Sequence, residues 1–403
     1  MIDIQLLEKL NASTAQERLE ALEAAVAGAK FPKANPAYIN CHIHTIYSFS
    51  PYSPAAAVYA ARAEGLCTAG IVDHDTTAGA EEFIAAGKIA GIPVTVGMEA
   101  RVSMRDTPLS GVHTNNPDQA GVSYMTFQGI PHRNIARMNA FFQPLREARL
   151  ERTRAMAGNI NALLAGKGVA LDFDRDVLPL TQFANGGAIT ERHLMCALAR
   201  KLIDACGRGE ALIDGVRGLG VALSEKQRAQ LLRVDDPFYE YDLLGILKGA
   251  FIEKIYVPAT RECLTIREAA AFARENDAIA CYAYLGDVTE SVTGDKKAQK
   301  FEDEYLDTLF DVLEDCDIHA VTYMPTRNTP EQLARLRALC ERHHMFQVSG
   351  EDINSPRQSF VIRAMENPEF ANLIDATWRL IEHENGVRRI ELRGGAQGAA
   401  SEA

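Results

Sequence analysis

No stretch of about 18 consecutive apolar residues occurs in this 403-residue chain, so no membrane span is expected. Its opening, "MIDIQLLEKLNAST", has no basic region followed by an apolar core, and no signal peptide is expected. Cys-x-x-Cys pairs are missing as well. The eight cysteines are scattered (Cys41, Cys67, Cys196, Cys206, Cys263, Cys281, Cys316, Cys340), which predicts reduced, mostly buried thiols in a cytoplasmic protein. Nor is there an excess of basic charge. Lys and Arg number 42 against 54 Asp and Glu, a net charge of -12, so nucleic acid and anionic membranes are poor partners for this surface. A small anionic substrate is not excluded, because a metal or a local basic cluster can reverse the sign inside a cleft. Tryptophan occurs once, at Trp378, where core packing is the expectation.

What is present is an ordinary globular composition, 47% hydrophobic, long enough for one large α/β domain. Short apolar or β-branched runs stand at 37–41, 68–73, 94–102, 121–130, 278–286, 319–325 and 346–352. Helical patterns fall between them at 54–64, 78–90, 266–276, 302–314 and 330–343, the last announced by Thr329-Pro330. That alternation predicts parallel pairing in a barrel or a doubly wound sheet. In front lies "STAQERLEALEAAVAG", with a capping-box pair Thr14 and Glu17 and an exit at Gly28. We expect residues 1–36 to form an N-terminal helical segment, 37–390 the barrel, and 391–403 a fraying tail. Strand signals fade between about 134 and 250, which reads as a helical insertion in the barrel.

Chemistry-bearing residues gather at the ends of the apolar runs. "NCHIHT" places His42 and His44 two residues apart, so both rings leave a strand on one side. "IVDHDTT" ends on Asp73, His74 and Asp75, and "VTVGMEARV" carries Glu99 inside an apolar stretch, where an unpartnered carboxylate is costly. "QVSGEDIN" adds Glu351 and Asp352. A lone His-x-His is more often a satisfied pair than a ligand pair. Four run ends bearing such groups argue for a shared site, because C-terminal strand ends meet at one rim of a parallel barrel.

These motifs, "CHIHTIYSFSPYSP", "GIVDHDTTAGAEEF", "VGMEARV", "ITERHLMCALARKL" and "VSGEDIN", resemble those of the polymerase and histidinol phosphatase (PHP) family of metal-dependent phosphoesterases over roughly 38–355. The resemblance implies a distorted (β/α)7 TIM-like barrel with divalent ions in a rim cleft. It implies His42, His44, His74, Glu99, His193 and Asp352 as metal ligands, with Glu99 bridging. Four positions depart from the family pattern: Phe49 for an aspartate, Tyr124 and Met125 where a histidine is usual, Tyr284 for a histidine, and Asn354 for a histidine. His42, His44, Glu99 and Asp352 survive as one set that suits Zn, Mn or Fe. One firm site is therefore expected, with one or two further sites open, and Asp73, Asp75, Asp287 or Glu351 as compensating groups.

For phosphate binding, Arg192, Arg327 and Arg357 stand near the implicated ends, since arginine holds phosphate by paired hydrogen bonds. Lys296 and Lys297, in "TESVTGDKKAQKFEDEY", read as surface charges near a candidate substrate loop. Glu99, Asp75 and His132, the last closing the fourth run, are the candidates for acid–base work. The leading expectation is a phosphoesterase on a small phosphorylated metabolite or nucleotide. Two alternatives stand beside it: an altered barrel serving as a binding or regulatory module, and a single-metal C–N or C–O hydrolase. A homo-oligomer is left open.

Overall fold

A computed structural model of the chain describes residues 3–287 and 300–392. Lys296, Lys297 and most of the candidate substrate loop lie outside the described residues, as does all but the start of the expected tail. Helices α1 (Ile4–Leu10) and α2 (Ala15–Gly28) lead into β1 (Asn35–Ile43). Thr14 and Glu17 form the capping box of α2. The first half then alternates: α3 (Pro54–Ala63), β2 (Leu66–His74), α4 (Ala80–Ala90), β3 (Val94–Ser103) and β4 (Val122–Gln128). A helical stretch follows, with α5 (Ile135–Phe141), α6 (Gln143–Leu163), α7 (Glu191–Cys206), α8 (Glu210–Gly218), α9 (Glu225–Leu231) and α10 (Tyr239–Ile255). The chain returns through β5 (Leu264–Thr265), α11 (Ile266–Glu275), β6 (Ile279–Ala283), α12 (Leu306–Asp315), β7 (Ala320–Tyr323), α13 (Pro330–Arg342) and β8 (Phe346–Ser349) to α14 (Ala371–Glu384).

The strands pair in the order β1-β2-β3-β4-β6-β7-β8, with β5 beside β3. An isolated parallel bridge, Ile43 to Ile353, brings the first strand to the chain just after the last. There Ile353 accepts from the His44 amide at 2.9 Å and donates to the His42 carbonyl at 3.1 Å. The sheet thus curls into a nearly closed, distorted barrel with helices around it, as the strand–helix alternation predicted.

Parallel pairing does not hold throughout. β4 runs antiparallel to both β3 and β6, so its C-terminal end lies at the opposite mouth from those of its neighbours. The connection from β3 to β4 explains this. It holds no helix, and a loop of this kind returns a strand antiparallel. Asn115 in that loop donates to the Tyr124 carbonyl at 2.7 Å and to the Ala283 carbonyl at 2.6 Å, and accepts from the Tyr124 amide. It thus ties the start of β4 to the end of β6, next to their antiparallel ladder.

Two apolar clusters carry most of the packing. One lies between the sheet and its helices, around Phe83, Val96, Phe310 and Leu336. The other holds the helical stretch together around Met156, Leu198 and Leu247, and includes Phe49 from the turn after β1. All eight cysteines are free. Trp378, expected in the core, is 41% exposed on α14.

Candidate metal centre

Strand ends set the geometry. His42 lies in β1 and His44 just past it, both fixed by the Ile353 clasp. Asp352 precedes Ile353. Gly350 lets this segment pass, since a Cβ there would sit 2.9 Å from the His42 Cβ. His74, the last residue of β2, is in register with Glu99 of β3. Five side chains therefore converge. His42 Nε2 and His44 Nε2 are 3.2 Å apart, and His44 Nε2 is 3.3 Å from Asp352 Oδ1. His74 Nδ1 is 3.0 Å from Glu99 Oε2, and the two Glu99 oxygens lie 4.0 and 3.9 Å from His42 and His44. The donor atoms form two groups, His42–His44–Asp352 and His44–His74–Glu99, which share His44.

Hydrogen bonding alone does not satisfy this arrangement. The His74–Glu99 contact is short yet misaligned for a hydrogen bond, and leaves His74 Nδ1 buried without one. Imidazole nitrogens and carboxylate oxygens aimed at a common point fit a divalent ion of the zinc, manganese or iron type. The residues around His44 strengthen the fit. Asp73 accepts from the Thr45 amide at 2.7 Å and from the hydroxyls of Thr45 and Ser48 at 2.6 and 2.5 Å. With its proton given to Asp73, Ser48 Oγ can only accept from His44 Nδ1, 3.1 Å away. That fixes the tautomer and leaves the His44 Nε2 lone pair facing the centre, the usual support of a ligating histidine.

Burial and mutual charge set the protonation states. Burial lowers the pKa of His42, and burial with the charge of His44 takes His74 well below the usual imidazole range. His44 moves up: burial opposes this, but the Asp352 and Glu99 carboxylates outweigh it. Glu99 is raised, chiefly by burial. Asp352 lies well below the carboxylate range because His44 and His42 overcome its desolvation.

Other nominated residues lie elsewhere. His193, also nominated as a ligand, belongs to neither donor group among the described residues. Its Nδ1 accepts from the Thr190 amide at 3.0 Å and caps α7, so its proton sits on Nε2. Burial takes its pKa down to about 3, keeping the ring neutral. Asp75 is committed to Arg149, 2.5 Å away. Asp287 accepts from the Phe301 amide, and Glu351 from Thr326, so neither reaches the donor groups. His132 faces Glu384 at 3.8 Å, beside Val96 and three residues below Glu99, at the mouth to which antiparallel β4 delivers it. Arg357 is held by Asp236 and Asp242 at 2.9 and 2.6 Å. Arg327 lies on the turn after β7, next to the Thr326 that binds Glu351.

Substituted positions have found other work. Asn354 donates to Asp352 at 2.7 Å and accepts from Arg192 at 2.9 Å, which links that arginine to the centre. The Tyr124 ring lies 5.9 Å from His74, and its hydroxyl accepts from Arg101 Nε at 3.1 Å. Met125 points the other way, into the apolar layer. Tyr284 donates to Asp303 at 2.6 Å. Phe49 packs edge-on against His193, under the Arg192 guanidinium.

Behind the centre lies a buried ion network that sequence reasoning missed. Glu191 takes Arg101 at 2.8 Å, Arg149 at 3.6 Å and Arg152. Glu262 takes Arg101 at 3.0 Å and Arg152 at 2.9 Å. These arginines hold Glu191 well below the carboxylate range despite its burial. The signal was Arg146, Arg149 and Arg152 at spacings of three, one face of α6.

A family profile for the PHP domain matches residues 40–314. Among solved structures, a protein from Bifidobacterium adolescentis, provisionally assigned as a metal-dependent phosphoesterase, aligns with a TM-score of 0.53 at 20% identity. The alignment covers 85% of this chain and 98% of that one. An amidohydrolase from Chromobacterium violaceum, solved with bound sulfate and no metal, gives 0.52 at 19% identity, over 81% and 90%. At such identities the likeness is one of fold. No curated protein matches the chain.

Proposed function

The chain belongs to the PHP domain family, and from that membership we propose a metal-dependent hydrolase whose substrate is a small phosphoester. The observation that carries the reading is the convergence of three histidines and two carboxylates in two groups that share His44. His42, His44 and Asp352 would hold one ion, and His74 with Glu99 would share His44 toward a second. A divalent ion so held lowers the pKa of a bound water toward neutrality and screens phosphoryl charge.

The chain's own residues supply the rest. Asp73 and Ser48 hold the His44 ring in one tautomer. Arg192, tethered through Asn354 to Asp352, places a guanidinium next to the donor groups, where it suits a phosphoryl oxygen. Tyr124, its hydroxyl oxygen accepting from Arg101, keeps its own proton to donate toward the substrate. Burial raises its pKa, so that proton stays in place at neutral pH.

A C–N or C–O hydrolase is the second reading. It is favoured by one observation: Arg357, one of the three candidate phosphate donors, is spent on Asp236 and Asp242. Metal-loaded protein assayed against parallel panels of phosphomonoesters, phosphodiesters, amides and lactones separates the two. Phosphoester turnover that collapses in Arg192→Met supports the first reading. Amide or lactone turnover indifferent to that change supports the second. No turnover on either panel, with the ion bound, sinks both.

A further inference from the structure

The turn that follows His44 does more than orient it. Phe49 has φ 106° although it is not glycine, a strained backbone conformation of the kind that collects at functional sites. A residue serving only as core filler has no need of that strain. Its ring forms one wall of a cavity of about 290 Å³, with Tyr241 and Leu180 as further apolar walls. The Phe49 and Tyr241 rings stand 5.8 Å apart at 56°. Polar groups occupy the rim: Arg200 is paired with Glu240 at 2.9 Å, and His193 contributes its edge. His193 is 1% exposed and its Nδ1 is used in capping. Its Nε2, across the ring from the capped nitrogen, carries the proton. It is thus a buried neutral donor on the cavity wall.

That volume is at the small end of ligand pockets, room for one ring system rather than a whole molecule. Aromatic walls favour a flat partner, which stacks or packs edge-on. A donor at His193 and a donor–acceptor pair at Arg200 and Glu240 favour polar atoms at that partner's edge. We propose that this cavity is a subsite for the leaving group of the substrate, and that the group it takes is a flat heteroaromatic ring. Phe49 is then a specificity-determining residue, set at its strained angle by the turn that begins at the metal centre. The inference rests on the hydrolase reading for its place in the reaction, not for the pocket's ability to bind a ring.

Calorimetric titration of the metal-loaded protein with phenylphosphonate, methylphosphonate and benzimidazole tests it. Phenylphosphonate is expected to bind tighter than methylphosphonate by about tenfold or more, from ring burial. The ratio falls to near one in two variants. Phe49→Gly removes the ring while accepting the backbone angle. Leu180→Trp fills the cavity from a partly exposed position. A ratio near one in the unmodified protein, with methylphosphonate bound, overturns the pocket and leaves the phosphoester reading standing. A ratio that persists in both variants also overturns it. Benzimidazole binding that both variants abolish, with neither phosphonate bound, upholds the ring subsite and sinks the phosphoester reading. No binding of any probe overturns both.

Discussion

Arg149→Met is the sharpest probe of the scaffold behind the centre. The arginine is 1% exposed and reaches Asp75 at 2.5 Å and Glu191 at 3.6 Å. Glu191 keeps Arg101 and Arg152 when Arg149 is removed. Asp75 loses its one side-chain ion pair among the described residues and stays buried. Stranding one buried charge costs about 3–5 kcal/mol, whereas removing both partners is close to neutral. Arg149→Met should therefore lower stability by that amount. Asp75→Asn in the same chain should return at least about 2 kcal/mol of it. Asparagine is the right partner change because Asp75 has φ 54°, which Asn accepts. Arg149→Lys should fall between, since an ammonium serves one carboxylate better than two. Urea unfolding followed by circular dichroism reads the parent, these three variants and Asp75→Asn alone. If Arg149→Met stays within about 1 kcal/mol of the parent, or if the double variant is as unstable as the two single changes added, the network does not stabilise the fold.

Other tests address the site and the pH response. Ser48→Ala removes the acceptor that holds His44 Nδ1, and should weaken metal affinity about 10–100-fold with little change in unfolding midpoint; a chelator competition assay showing parent-like affinity would refute the orienting role. Glu302 is fully buried, accepts from the Leu285 and Gly286 amides, and has one oxygen without a hydrogen-bond partner among the described residues. Burial pushes its pKa from 4.5 up to about 7. The folded state therefore holds this proton more tightly than the unfolded chain. The stabilisation is full below pH 4.5 and is lost as pH rises to about 7. At about 1.4 kcal/mol per pH unit that amounts to about 3.5 kcal/mol. Comparing unfolding midpoints of the parent and Glu302→Gln at pH 5 and pH 7.5 reads it, and an equal slope in both proteins would contradict it.

Much of the barrel was legible because buried strands and amphipathic helices have different periods. The apolar runs at 68–73 and 94–102 became β2 and β3 almost residue for residue. The convergence of His42, His44, His74 and Asp352 followed from their places at run ends, given parallel strands, while Glu99 joins them from within its run, in register with His74. Strand direction is the part the pattern does not encode: "GVSYMTFQGI" reads the same in either sense. β4 reversed, and His132 lies at the opposite mouth with its C-terminal end. His193 has a second reading that its motif does not reveal: its spacing from Thr190 also fits a helix cap, and its Nδ1 accepts there. Arg149 and Arg152 escaped notice because buried arginines at spacings of three look like a solvated helix face until Glu191 and Glu262 are known to lie opposite.

His44 belongs to both donor groups, so one substitution reaches the whole centre. Metal content per chain, measured by elemental analysis after loading with zinc, manganese or iron and gel filtration, tests the central claim most directly. The parent should retain at least one equivalent of a divalent ion and His44→Ala almost none, with both folded by circular dichroism. A folded parent that retains none of the three metals, or a His44→Ala protein that retains as much as the parent, would contradict the account.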